Sequence, residues 1–488
     1  MLFNSLHFLA FFILVTVVYY CLPHKYRWVL LLISSYYFYM AWKPAYILLI
    51  LLCTIINYIA ALMIDKLESK DLRKFWLVLS LGISFGVLIV YKYFSFLNES
   101  LRGIFTYFSF SYPLGHFDIL LPMGISFYTF QTLSYTIDVY RGDIEAEKNF
   151  FMLSLYVTFF PQLVAGPIER SDRLLPQLKE KVSFDIDRVL DGIKIMLLGF
   201  FRKIVIADRL AVAVNAVYNS PEDFSGIYYI IATILFAFQI YCDFSGYSEI
   251  ALGAAKVLGI DLMKNFDRPY FSKSIPEFWR RWHISLSTWF RDYLYIPLGG
   301  NRVSKPRYYF NTMLTFLLSG LWHGASWTFV IWGGLHGMYQ IVGKITRDTR
   351  SKAKSTLRLE KTFILKIFQV IFTFTLVCFT WIFFRANTIS DAIYIIRNLF
   401  SDIDMWKDIN YLYRVANNMG LNYFEFLVGI ISIALLLIGE FLARKRPLYI
   451  SLSKSNFVVE GSFYIILLLI ILTMGVYFNA NQFIYFQF

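Results

Sequence analysis

A chain of 488 residues that is 58% hydrophobic and 20% aromatic, with only 16% charged residues, is too apolar to divide into soluble domains. It reads as an all-α polytopic membrane protein. Its 46 basic residues exceed its 33 acidic ones, but they gather in loops between apolar runs, as the positive-inside rule requires, so the excess does not point to nucleic acid.

Leu6 to Leu22, Trp28 to Trp42 and Ala45 to Ile64 are three apolar segments, parted by His24-Lys25-Tyr26-Arg27 and by Lys43-Pro44. The first has no basic residue ahead of Lys25 and no small-residue cleavage site, so it reads as a retained span and not a signal peptide. Lys66, Lys70, Arg73 and Lys74, with Lys25 and Arg27, mark the cytoplasmic side and put the N-terminus outside. Phe75 to Leu97 then leads outward and Ile119 to Tyr140 returns, its Pro122, Gly124 and Asp138 indicating a path lined by protein. Phe151 to Gly166 is uncharged but short, and it ends in Gly-Pro. Val189 to Leu210 carries Asp191, Lys194, Arg202, Lys203, Asp208 and Arg209, too many charges for a helix facing lipid. One of these two segments crosses, and the residues do not decide which.

Phe224 to Cys242 is an uncharged span that runs into Asp243-Phe244-Ser245-Gly246-Tyr247-Ser248, and residues 256–307 hold ten Lys or Arg against four Asp or Glu, which makes them cytoplasmic. From Tyr308 to Gly343 there is no charged side chain. A single helix over those 36 residues would rise about 54 Å, well beyond a hydrocarbon core of roughly 30 Å. The run therefore folds into two arms, near 308–322 and 326–343, with Gly320, Gly324, Ala325 and Ser326 at or near the turn and His323 beside it. Loop 344–362 is basic again, as a double crossing requires. Ile367 to Phe384, Phe426 to Gly439 and Ser462 to Ala480 complete about twelve crossings and leave Asn481 to Phe488 outside. No internal repeat is evident, which weakens a carrier built from inverted halves. The expected organisation is one membrane domain over 1–488, with N-terminal helices (1–118), a motif-bearing core (119–343), and C-terminal helices with an outer tail (344–488).

Chemistry centres on histidine. His323 sits in an uncharged aromatic run, and imidazole can take and return a proton near neutral pH. Residue type and depth leave two readings, a general base or a hydrogen bond between helices. In PEFWRRWHISLSTWFRDY, at about 100° per residue, Trp279, Trp282, Leu286, Trp289, Phe290 and Tyr293 share one face with His283 at its edge, while Arg280 and Arg291 share a flank. That pattern is an interfacial helix. It serves either as an aromatic anchor with snorkelling arginines or as the place where an anionic donor is received. His336, thirteen residues beyond His323, would lie about 20 Å away on a continuous helix, so the two do not grip one atom and His336 reads as packing or an indirect contact. Cys21, Cys53, Cys242 and Cys378 are scattered singly, and no HExxH, Cys/His cluster, G-x-S-x-G elbow or Walker loop occurs, so no metal is expected.

FFPQLVAGPIERSDRLLPQL, YCDFSGYSEIALG, FWRRWHISLSTWFRDYLYIPLGGNR and LWHGASWTFVIWGGLHG, in that order, resemble the membrane-bound O-acyltransferases. The likeness is to the bacterial branch of alginate and peptidoglycan O-acetyltransferases and the teichoic acid D-alanyl transferase. It implies a ring of about twelve tilted helices around a central tunnel, with re-entrant or interfacial helices, set in the bacterial inner membrane. His323 then matches the family's catalytic histidine and His283 the second one on the cytoplasmic side. Arg170 and Arg302 match basic positions suited to a donor phosphate or an acyl carrier, and with Arg280 and Arg291 they form the expected donor-binding set. The terminal FIYFQF resembles an F-x-Y-x-x-F element, which implies that Tyr485 is either an acyl relay or an aromatic belt anchor. No bound cofactor is implied. The expected partners are acetyl-CoA or an acyl carrier protein inside, and a separate SGNH-type, esterase-like protein outside that acylates a polysaccharide. The alternatives are D-alanyl transfer to teichoic acid and, in a different class, a non-catalytic transporter.

Overall fold

The computed structural model describes residues 1–115, 117, 120–164, 166–356, 362–444, 447–477 and 483–484, and among them every regular element is helical. Six helices are long and apolar enough to cross a membrane: Pro44–Lys66, Lys70–Tyr107, Ile227–Val257, Phe363–Arg385, Tyr423–Leu442 and Phe457–Met474. The chain forms two compact units, one of residues 1–196 with 250–263 and the other of 197–249 with 264–488.

In the first unit the apolar segments become helices Leu6–Cys21, His24–Met40 and Ile47–Lys66. Ser5 starts the first by accepting the Phe8 amide on its hydroxyl at 3.1 Å. Asn57 donates to Ser84 Oγ at 3.0 Å and accepts from Thr136 Oγ1 at 2.7 Å, which ties three helices together through buried polar groups. The return predicted from Ile119 begins only at Ile125, because Gly124 turns the chain with φ +72° and lies so close to Leu163 that a Cβ would meet its carbonyl oxygen at 2.9 Å. Residues 150–163 make two short helices, Phe150–Thr158 and Phe160–Leu163. The amide freed at Phe160 donates to Ser35 Oγ at 3.0 Å.

The second unit shows why the charged segment after residue 189 can be buried. A π-helical stretch, Phe201–Ala207, leads into helix Asp208–Asn219. Lys203 is enclosed and pairs with both Asp208 and Asp243 at 2.8 Å, while Arg202 reaches Glu249 at 3.3 Å and Glu440 at 3.4 Å. The span read as Phe224 to Cys242 is part of one helix, Ile227–Val257, that runs straight through Asp243 to Ser248. Its polar residues do not end it because Lys203 and Arg202 answer them, and Gly246 lets the two backbones approach so closely that a Cβ there would lie 2.7 Å from the Gly199 oxygen.

The uncharged run forms the two arms as helices Lys305–His323 and Trp327–Ile345. They pack backbone against backbone: a Cβ on Gly320 would meet the Phe329 oxygen at 2.3 Å, and one on Gly333 would meet the Phe316 oxygen at 2.2 Å. The interfacial helix read over 276–293 requires correction. Two helices of seven residues, Ile275–Arg281 and Ile284–Phe290, are broken at Trp282-His283, with His283 at φ +42°. The continuous face and the shared arginine flank go with it.

Candidate functional site

His323 ends the first arm of the hairpin and is 2% exposed. Its Nδ1 lies 2.6 Å from the Ser319 carbonyl one turn back. A carbonyl only accepts, so Nδ1 carries the proton and Nε2 holds the basic lone pair. Trp332, Trp322 and Phe384 enclose the ring, with centroids at 4.9, 5.2 and 5.7 Å.

His283, fully buried, stands with its ring centroid 6.1 Å from that of His323, at 77° to it. It is the hinge between its two short helices and holds a left-handed backbone that non-glycine residues adopt rarely, mostly where the surroundings impose it. Asn265 supplies much of that restraint. Its carbonyl accepts the Ile284 amide at 2.9 Å, its side-chain oxygen accepts the Ser285 hydroxyl at 2.7 Å, and its amide donates to Ser248 at 3.1 Å. Sequence reasoning missed Asn265, which has no motif signal of its own. Phe244 packs edge-on against His283, at 4.6 Å between centroids.

His336 belongs to the packing around the pair. Trp279 donates its indole N–H to Nδ1 at 3.2 Å, so Nε2 carries the proton and faces Thr380 Oγ1 at 3.0 Å. Both ring nitrogens are engaged, as packing would have it.

The expected donor arginines stand on separate elements. Arg280, Arg291 and Arg302 are exposed, and Arg291 is held by its neighbour Asp292 at 2.7 Å. Arg170 is half-buried in the first unit, at the start of helix Ser171–Lys179. Beside it, Glu169 is buried, accepts the Met263 amide and lies 4.0 Å from Arg173; burial pushes its carboxyl up to about 7.

Tyr485 lies outside the described residues, but the two before it are placed. Phe483 and Ile484 are enclosed, with Phe483 against Tyr247 at 4.6 Å and Phe244 at 5.7 Å between centroids. The Ile484 amide donates to Asp243 Oδ2 at 2.8 Å.

A helical membrane protein that encloses two imidazoles at this separation, one with a defined basic nitrogen, has the makings of a membrane-embedded group-transfer enzyme. Residues 146–385 match the MBOAT, or membrane-bound O-acyltransferase, family. The chain is 37% identical to a probable alginate O-acetylase, AlgI, of Pseudomonas putida, over 92% of this chain and 89% of that one. It is 33% identical to the peptidoglycan O-acetyltransferase of Helicobacter pylori, over 76% and 73%, and 29% identical to the teichoic acid D-alanyltransferase of Streptococcus thermophilus, over 49% and 60%. The chain belongs to the membrane-bound O-acyltransferase family and is an acyltransferase. The transporter reading falls with that.

Proposed function

We propose that this enzyme moves an acetyl group from acetyl-CoA on the cytoplasmic side of the bacterial inner membrane to a hydroxyl presented from the other side, for O-acetylation of an extracytoplasmic polysaccharide. The observation that carries the mechanism is the His323 Nδ1 contact with Ser319, which leaves Nε2 as the base. Nε2 takes the proton of the acceptor hydroxyl while its oxygen attacks the thioester carbonyl. The carbon–sulfur bond breaks, and the proton passes from His323 to the departing thiolate. His283, 6.1 Å away between ring centroids, positions the donor or assists that proton.

In this reading about twelve helices ring a tunnel that opens to both sides, and Arg170, Arg280, Arg291 and Arg302 bind donor phosphates near its cytoplasmic mouth. Tyr485 is the first acceptor. A separate SGNH-type, esterase-like protein then carries the acetyl group to the glycan. Acetyl is preferred over D-alanyl because the O-acetylating relatives match at higher identity and over more of the chain than the D-alanyltransferase does. His323→Ala in the producing cell should abolish glycan acetylation with the protein still inserted at wild-type level. Full acetylation in that variant would overturn the mechanism.

A further inference from the structure

We propose that Asp243 is a positioning residue for acyl transfer: it anchors the C-terminal segment at Ile484, one residue before Tyr485 in sequence and beside the wall of the histidine pair. Asp243 lies in the middle of helix Ile227–Val257, where an ionised carboxylate carries a heavy desolvation penalty. Lys203 at 2.8 Å offsets that penalty, but Lys203 is shared with Asp208 at the same distance. The Ile484 amide, at 2.8 Å from Oδ2, is a second donor to the same carboxylate.

The π-helical stretch that bears Lys203 also holds the start of the same segment. Ile204 accepts the Val476 amide at 3.1 Å through its carbonyl, and Arg209, just beyond the stretch, donates to the Met474 carbonyl. The segment is thus gripped where it leaves its helix and again next to its end. Phe483 rests on Tyr247 and Phe244, and Phe244 is the ring against His283. A backbone fixed there gives the terminal acceptor a defined starting point, which matters because small displacements of a reacting group reduce rate steeply.

The docking stands independently of the function proposed above; its consequence for rate rests on that reading. Hydrogen exchange of the C-terminal amides in the full-length protein in nanodiscs tests the first, and acetyl transfer to the outer acceptor tests the second. Asp243→Ala should speed exchange at Ile484 by roughly tenfold or more, and transfer should fall by roughly tenfold or more as well. Asp243→Asn, whose amide oxygen accepts the same N–H, should restore both. Ile484→Pro removes the donor without touching the ion cluster and, read at Phe483 because proline has no amide hydrogen, should reproduce the faster exchange and the loss of transfer of Asp243→Ala even if the latter folds poorly; combining the two should add nothing further. Wild-type amides that exchange as fast as those of the variants would overturn the docking. Undiminished transfer in Ile484→Pro, with transfer still lost in His323→Ala, would overturn the positioning role and leave the proposed function standing.

Discussion

At the scale of single residues, three histidines in one aromatic cluster separate by what their nitrogens touch. His336 has both nitrogens engaged, by Trp279 and Thr380, whereas His323 has its proton fixed on Nδ1 by a backbone carbonyl. Replacing His336 by Phe should therefore destabilise the protein by about 1–3 kcal/mol, through the orphaned Trp279 donor, while turnover per folded molecule stays near wild type. Thermal denaturation alongside an activity assay separates that outcome from the loss expected at His323. Glu169 gives a pH dependence. Its folded pKa, about 7, lies above its ordinary value, so the folded state holds the proton more tightly. Stability should then fall as pH rises from the usual carboxylate range through about 7. Glu169→Gln, which keeps an oxygen for the Met263 amide, should flatten that slope in melting curves recorded across the range.

At the scale of elements, the hairpin carries the site, because His323 sits at the end of an arm whose position depends on bare glycine contacts. Gly320→Ala would put a Cβ 2.3 Å from the Phe329 oxygen and force the arms apart. The expected result is a loss of roughly 1–3 kcal/mol in stability together with a drop in transfer, read by melting temperature and by turnover. This hairpin was legible from residues alone, since a charge-free run too long for one crossing and a cluster of small residues both mark a turn near His323. The break at His283 was not. Helical periodicity assigns faces but cannot register one residue with positive φ, and the Asn265 clamp that holds it comes from eighteen positions upstream. The continuation of helix Ile227–Val257 through Asp243 escaped for a related reason: its counter-charge, Lys203, lies on another element. The enclosure of Phe483 and Ile484 escaped because a short aromatic tail reads equally well as an interfacial anchor.

At the scale of the whole molecule, the charge map and the helix composition count different things. Basic loops report which side each turn faces and imply about twelve crossings, whereas six helices among the described residues meet the length and hydropathy of a span. Helices covered by protein are free to carry polar groups, as the hairpin's first arm does with Asn311, Ser319 and His323. The central claim is that an acetyl group passes from one face of the membrane to the other at His323. The most direct test is sided: purified enzyme in sealed vesicles, isotope-labelled acetyl-CoA supplied only at the cytoplasmic face, and the outer-side acceptor protein only at the opposite face. The account predicts label on the opposite-side acceptor with the wild-type enzyme and none with His323→Ala. Equal labelling by both enzymes would contradict it.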